Sequence, residues 1–593
     1  MRVKIILLLF LTLLPGYFLS VAQTQDKYTR TNKNTSQYTD YQTFRFFINN
    51  FNLPINNRGV LADVNIPDEN PQINGAGGKY ANIIALFSGG FALSGYSGNL
   101  MWTNGVMPMG LVEDYQSGPI GSVPEDPKNL IYVLKSDDPA FSASWQLWKD
   151  AVSIGARFYD GDNDGIYNPV DKNGNNIWDA NEDRPDLMGD LTAWCVYNDG
   201  IPANLRRFNI PPQNIEVMQS VFASRWGTEP AFQNTVFVRY SIVNKNAQVP
   251  VMDSVYFGVN GDPDLGFPMD DSFGTDTLCN SAIAYNKTPD SQFGINAPSL
   301  FTKIVQGPLT YIPGVTFTDI NQNGIYDQGT DIPLDTAYNR LGSYLGTEVY
   351  AGAKNLQVTG SRDCVGGDPN LQDPGTALSA RNYIMGLINQ GYTIDPCTFG
   401  YGIVTGGVDC SAINPLIYFS GDPVLPYGWL SNFSQDIRSM ISAGPFKLEF
   451  NKPVDIITAY VIGRGTTGIN SITVTRGYSS VIDNSYKSNF SNLPTKIEDN
   501  STAVWPAEYS LSQNYPNPFN PETVISYQLA VMSNVSLKLF DILGNEITTL
   551  VNEEKEAGSY EVDFNADKLP GGIYFYCLRA GSFVETKKMI LLK

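Results

Sequence analysis

Apolar side chains at every second position recur through most of the chain, and this alternation dictates extended strands. In NTVFVRYSIVNK, Val236, Val238, Tyr240 and Ile242 share one face of an extended segment. DSVYFGV repeats the pattern with Val255, Phe257 and Val259, and DIITAYVIG and SITVT carry it to Ile456 and Ile472. Glycine and proline clusters punctuate the intervals, which suits antiparallel sandwiches better than a parallel sheet with crossover helices. One segment has helical spacing instead. In FSASWQLWKDAVSIGA, Trp145, Trp148 and Val152 recur at the α-helical period and read as a stripe facing a core. The expected fold class is mainly β: multi-domain β-sandwiches.

Composition narrows the chemistry. The 593 residues contain no histidine. That removes Ser-His-Asp and Cys-His nucleophile systems, HExxH zinc sites and every imidazole metal ligand. An enzyme built from this chain would have to run on carboxylates, as glycosidases do, or on Lys, Tyr or Ser-Lys chemistry. Lys and Arg number 39 against 59 Asp and Glu, a net charge of −20. Such a field repels nucleic acid and anionic membranes and suits calcium, so no nucleic-acid partner is expected.

The N-terminus has the form of an export signal. Arg2 and Lys4 precede an apolar run from Ile5 to Leu14, and Ser20-Val21-Ala22 supplies a small-x-small cleavage site. Six cysteines form no CxxC pair, and Cys364, Cys397 and Cys410 lie near enough in sequence for one local disulfide. The expected division is a signal peptide (1–22), an N-terminal β-rich region (23–135), a helix with tandem acidic loops (136–210), a sandwich body (211–488), a linker (489–508) and a C-terminal module (509–593).

The acidic loops carry the strongest site signal. In DGDNDGIYNPVD, Asp160, Asp162 and Asp164 occupy positions 1, 3 and 5, Gly165 position 6, the Ile166 carbonyl position 7 and Asp171 position 12. Carboxylates at alternate positions converge on one hard cation when the glycine folds the loop tightly. A second register starts at Asp171, with Asn173, Asn175, Asp179 and Glu182 at positions 3, 5, 9 and 12, but Asn176 stands where glycine is wanted. A third places Asp319, Asn321, Asn323 and Asp327 at positions 1, 3, 5 and 9, and needs Asp331 or Asp335 in place of Thr330. These segments resemble the DxDxDG calcium loops of EF-hands, dockerins and thrombospondin type 3 repeats, without the second flanking helix of an EF-hand. Calcium is the expected cofactor, in a structural role.

A further cluster, GDPDLGFPMDDSFGTD, holds Asp262, Asp264, Asp270, Asp271 and Asp276. Three readings stay open for it: a cation site, a pair of catalytic carboxylates, or a solvated loop of Asx-turns. Near Asp422, Tyr427 and Trp429 are placed either to stack on sugar rings or to anchor a packed loop.

The last 85 residues carry a more specific signature. SQNYPNPFNPETVISYQL, VSLKLFDILGNEITTLV, AGSYEVDFNADKLPGGIYFYCL and KKMILLK together resemble the type A C-terminal sorting domain of the type IX (Por) secretion system. The residues that carry the resemblance are Pro516, Asn517, Pro518, Phe519, Gly544, Gly572 and Tyr574. It implies an Ig-like sandwich recognised by the outer-membrane export machinery. It also implies removal by a sortase-like peptidase and attachment of the passenger to surface lipopolysaccharide, or release to the medium. The body resembles secreted proteins that carry this domain, a likeness that brings no activity with it. Adhesion, envelope structure or contact with a glycan or surface protein is therefore the expected role, with a carboxylate-dependent polysaccharide hydrolase as the alternative.

Overall fold

Thr235–Asn244 is buried at every one of its ten positions, and its neighbours explain why. In the computed structural model it lies in the middle of a nine-stranded antiparallel sheet covered on both faces. The structure describes residues 42–67, 73–106, 114–225, 229–493, 510–514, 517–529, 533–542, 544–555, 558–580 and 583–592. The export signal and Pro516 lie outside these residues.

The nine-stranded sheet runs in the order Asp271–Asp276, Ser281–Asn286, Ser299–Gln306, Pro453–Gly463, Thr235–Asn244, Ile215–Ala223, Leu191–Asn198 and Gln116–Ser117, with Tyr132–Lys135 also paired to Leu191–Asn198. A five-stranded sheet, Gly360–Asp363, Ser439–Glu449, Val251–Asp262, Ser88–Ser97 and Leu100–Val106, packs on one face. Between them lies the main core, where Phe91 stacks on Phe257 at 5.9 Å and meets Tyr240 at 4.9 Å. The alternation read from sequence places Val236, Val238, Tyr240, Ile242, Val255, Phe257 and Val259 in this core. The body is a β-sandwich. Residues 116–117, 132–135 and 191–198 pair into the same sheet as the strands beyond 211, so the boundaries drawn at 135 and 210 fall inside one sheet.

The second face of the large sheet accounts for a misread segment. Ser471–Thr475 (SITVT), expected as a strand, lies inside the 20-residue helix Gly468–Lys487. Thr467 caps it by accepting the Asn470 N–H at 3.1 Å. Its sheet-facing stripe is Gly468, Ser471, Ile472, Thr475, Ser479, Ile482 and Ser485. These small hydroxylated residues recur at the helical period but carry little hydrophobic signal. Ser471 and Thr475 satisfy their hydroxyls on the Ala297 and Ser471 carbonyls, so close approach to the sheet leaves neither unpaired. Phe490 and Leu493, expected at the head of the linker, are buried in the same cluster. The helix Ala143–Ser153 forms where its spacing places it, with Trp145, Trp148 and Ala151 buried against Tyr132, Leu134 and Trp194.

The acidic segments are two excursions from this frame. Phe158–Tyr159 pairs with Arg184–Pro185 and closes residues 160–183, while Phe317–Thr318 pairs with Ile332–Pro333 and closes residues 319–331. Both are tied to one buried carboxylate on Pro453–Gly463, the strand paired with Thr235–Asn244. Asp455 accepts two bonds from Arg157 Nη2, at 3.0 and 2.8 Å, and one from Asn339 Nδ2 at 2.7 Å. Burial alone would raise its pKa, but the Arg157 guanidinium and its hydrogen bonds, with Arg239 nearby, hold it below the usual range. A depressed carboxyl pKa contributes stability at pH values above the unfolded value of about 4, and that contribution is lost as pH falls through the folded value. Replacing Asp455 with Ala strands the partly buried Arg157 charge and is expected to cost about 3–5 kcal/mol in denaturant unfolding at neutral pH. A cost below about 1 kcal/mol would show that the two excursions are not anchored here.

Candidate metal centres and the C-terminal module

The three acidic loops share one backbone frame. Positions 4 and 6 both adopt positive φ: Asn163 and Gly165 (59° and 76°), Gly174 and Asn176 (76° and 59°), Gln322 and Gly324 (58° and 75°). Asn176 thus takes the left-handed conformation that glycine takes in the other two loops, which asparagine tolerates. In each loop the position-1 carboxylate accepts the N–H groups of positions 5 and 6, Asp160 from Asp164 and Gly165, Asp171 from Asn175 and Asn176, Asp319 from Asn323 and Gly324. The position-5 side chain then accepts the N–H of the isoleucine at position 7, at 2.7 to 2.8 Å. Side chains are therefore drawn inward around the turn, and Ile166, Ile177 and Ile325 project outward, each more than 60% exposed.

A fourth element repeats as well. One buried carboxylate accepts the N–H groups of positions 2 and 9 in every loop. Asp183 does so for Gly161 and Asn168, Glu182 for Lys172 and Asp179, and Asp331 for Ile320 and Asp327, all at 2.6 to 3.0 Å. Asp331, not Asp335, closes the third loop. Asp183, not Asp171, closes the first, because the Asp171 carboxylate is taken up by the second loop. Spacing alone does not reveal Asp183, which reaches back across the whole second loop to serve the first.

The loops differ in how well they fit a cation. Asp160, Asp162 and Asp164 each bring a carboxylate oxygen within 4.8 Å of the others, an all-oxygen donor set that suits calcium. Lys172 Nζ, 2.8 Å from Asp162 Oδ2, partly neutralises this cluster and holds the Asp162 pKa down. In the other two loops, the amides at positions 3 and 5 donate to the position-9 carboxylate: Asn173 and Asn175 to Asp179, Asn321 and Asn323 to Asp327. Calcium there requires those amides to turn their oxygens inward. Replacing Lys172 with Met removes the competing ammonium, and calcium affinity of the first loop is expected to rise roughly two- to fivefold by calorimetry, the range of an exposed ion pair. Unchanged affinity would mean that Lys172 does not compete for Asp162.

The second acidic stretch separates in space. Asp276 pairs with Arg476 Nε at 2.6 Å, and Asp270 accepts from Asn286 Nδ2 at 2.7 Å. Asp262 and Asp264 stay together and are joined by Asp436, whose carboxylate comes within 4.8 Å of both. Asp271 is fully buried beside them. Asp436 lies 172 residues beyond Asp264 in the chain, and no local pattern links the two. Trp429 is 1% exposed and packs against Tyr418 and Phe419, so it anchors a loop, whereas Tyr427 is exposed. Of the cysteines, Cys397 and Cys410 form a disulfide, and Cys364 is buried as a thiol.

The C-terminal module is a second, smaller sandwich. One sheet comprises Ser510–Leu511, Glu522–Leu529 and Gly558–Asn565. The other comprises Glu546–Lys555, Ser533–Phe540, Gly572–Ala580 and Phe583–Leu591. Leu537, Leu539, Tyr576, Leu578 and Met589 fill the space between with Ile525 and Phe519. The Asn517-Pro518-Phe519 segment lies along the last strand. Asn517 Oδ1 accepts the Ile590 N–H at 2.9 Å, while the Phe519 N–H donates to the Ile590 carbonyl and its carbonyl accepts from Leu592. Tyr574 donates to the Pro570 carbonyl at 2.6 Å. Gly544 takes φ of 82° in the turn after Asp541, whereas Gly572 has open space where a Cβ would lie.

Residues 513–592 match the family described as the secretion system C-terminal sorting domain. This module is a sorting domain. With it the chain is a secreted or cell-surface protein, exported by type IX secretion. No curated protein matches the chain. Among solved structures, a polysaccharide lyase aligns over 64% of this chain at 6% identity and a TM-score of 0.16. The alignment spans 34% of the lyase's own length. Among the described residues, no helix is long and apolar enough to cross a membrane.

Proposed function

We propose that the passenger ahead of the sorting domain is a non-catalytic, calcium-stiffened β-sandwich that serves adhesion or glycan contact at the cell surface. The observation that carries this reading is the hydrogen-bond frame repeated in all three acidic loops. Turn dihedrals, inward side chains and a closing carboxylate recur in the tandem pair within residues 160–183 and again in residues 319–331. In extracellular fluid, weak millimolar calcium sites are enough to hold such loops rigid. The excursions then present rigid tips with exposed isoleucines, anchored through Asp455 to the central sheet. In this reading a sortase-like peptidase removes the sorting domain and joins the passenger to surface lipopolysaccharide.

The test compares cells with and without this chain for attachment to glycan-coated surfaces, in calcium and in EGTA. Calcium-dependent attachment that vanishes with the chain is expected. Equal attachment in all four conditions would overturn the reading. So would release of reducing ends from a polysaccharide by the purified passenger, which would make it a hydrolase.

A further inference from the structure

The strands Thr336–Arg340 and Thr347–Ala351 form a hairpin that follows the third loop in the chain, and its two outer edges differ. Tyr338 lies opposite Val349 and Arg340 opposite Thr347, in a register without a bulge. The Tyr338 N–H donates to Asn355 Oδ1 at 2.9 Å and the Arg340 N–H to Gln306 Oε1 at 3.0 Å. Both point away from the partner strand, and side-chain amides close that edge. Antiparallel alternation then sends the N–H and C=O groups of Thr347, Val349 and Ala351 outward on the other edge. Among the described residues, no hydrogen bond meets them there.

An open edge is a template for another strand, and proteins ordinarily blunt it with lysine, proline or a bulge. Thr347–Ala351 reads Thr-Glu-Val-Tyr-Ala and carries none of these. Its one charge, Glu348, is turned back onto its own chain, accepting from Asn339 Nδ2 and from the Tyr350 hydroxyl, both at 2.8 Å. The side chains over the edge are apolar and open to solvent: Val349 is 62% exposed, and Tyr338 opposite it is exposed as well.

The strand is complementary to itself. Laid antiparallel to a second copy about a two-fold axis at Val349, it sets Val349 against the second copy's Val349, Thr347 against its Ala351 and Glu348 against its Tyr350. No like charges stand directly opposite, although the chain carries a net charge of −20. The outward-facing pairs each exchange two N–H···O bonds, and Tyr338 and Val349 of both copies line up as one apolar row. We infer that Thr347–Ala351 is a homotypic docking edge, through which two copies of this chain join their hairpins into one four-stranded sheet. The contact needs neither calcium nor a glycan, so it goes beyond the adhesive role proposed above. So short an edge buries little area, and the dimer is weak and reversible. It forms where copies are held close together, since tethering raises the effective concentration to about 1 mM.

Sedimentation equilibrium of the purified chain tests the inference. The wild type is expected to move from monomer toward dimer as its concentration approaches about 1 mM. Val349→Lys and Val349→Glu each set like charges across the axis and are expected to associate about tenfold more weakly. Mixed in equal amounts, the two variants are expected to recover wild-type association, because opposite charges then face each other. That recovery also shows that neither substitution unfolds the hairpin. A wild type that stays monomeric throughout overturns the inference and leaves the edge to a foreign strand or to solvent. Association undiminished in both variants, or no recovery on mixing, overturns it as well.

Discussion

Removing calcium is expected to lower the melting temperature of the passenger by on the order of 10 °C, if the acidic loops hold the ion as proposed. In calcium at a hundredfold the dissociation constant, on the order of 0.1 M for a millimolar site, each loop contributes about 2.7 kcal/mol by binding linkage and the three together about 8 kcal/mol. In a large domain, each kcal/mol is worth about 1–2 °C, somewhat less than in domains of 150–250 residues. The loops hang from the central sheet through Asp455, and Arg184 stacks 3.5 Å from the centre of the Tyr344 ring and 4.8 Å from that of Trp178, tying the tandem loop to the chain beyond the third. Metal bound at the excursions would therefore stabilise the frame as a whole. Scanning calorimetry in calcium and in excess EDTA checks this. Coincident transitions would mean that the acidic loops are metal-free surface turns.

The second large effect concerns export. A chain lacking residues 509–593 is expected to accumulate behind the outer membrane, with almost none in the medium or on washed cells. Phe519→Ala is expected to approach the same outcome. Phe519 is 1% exposed in a small core, and truncating a buried phenylalanine costs about 3–5 kcal/mol, a large share of what a domain of this size possesses. Quantitative blotting of fractions from cells expressing each variant provides the measurement. Surface levels equal to wild type for the deletion would mean that the module is not the export address.

How much was legible depended on whether the signal was local. Alternation from Val236 to Ile242 and from Val255 to Val259 located the strands because one face of each meets a purely apolar core. Ser471–Thr475 alternates like a strand because its helix buries mostly hydroxyls and glycine, with Ile472 and Ile482 the aliphatic exceptions, so its helical period carries little hydrophobic contrast. The loops were legible at positions 1 to 9, where turn geometry fixes residue type. Their closing carboxylates were legible only in part: Glu182 fell on its expected position, Asp331 one residue late, and Asp183 wholly outside the register. Asp436 joins Asp262 and Asp264 only through strand pairing, and no window of sequence contains all three.

The most direct measurement is terbium luminescence excited through the aromatic side chains that follow position 7 in each loop, Tyr167, Trp178 and Tyr326. The expected result is sensitised emission that calcium competes away. That emission should fall sharply when Asp160, Asp171 and Asp319 are all changed to asparagine. Emission no stronger than that of the triple variant would contradict the account, leaving an exported sandwich whose acidic loops hold no ion.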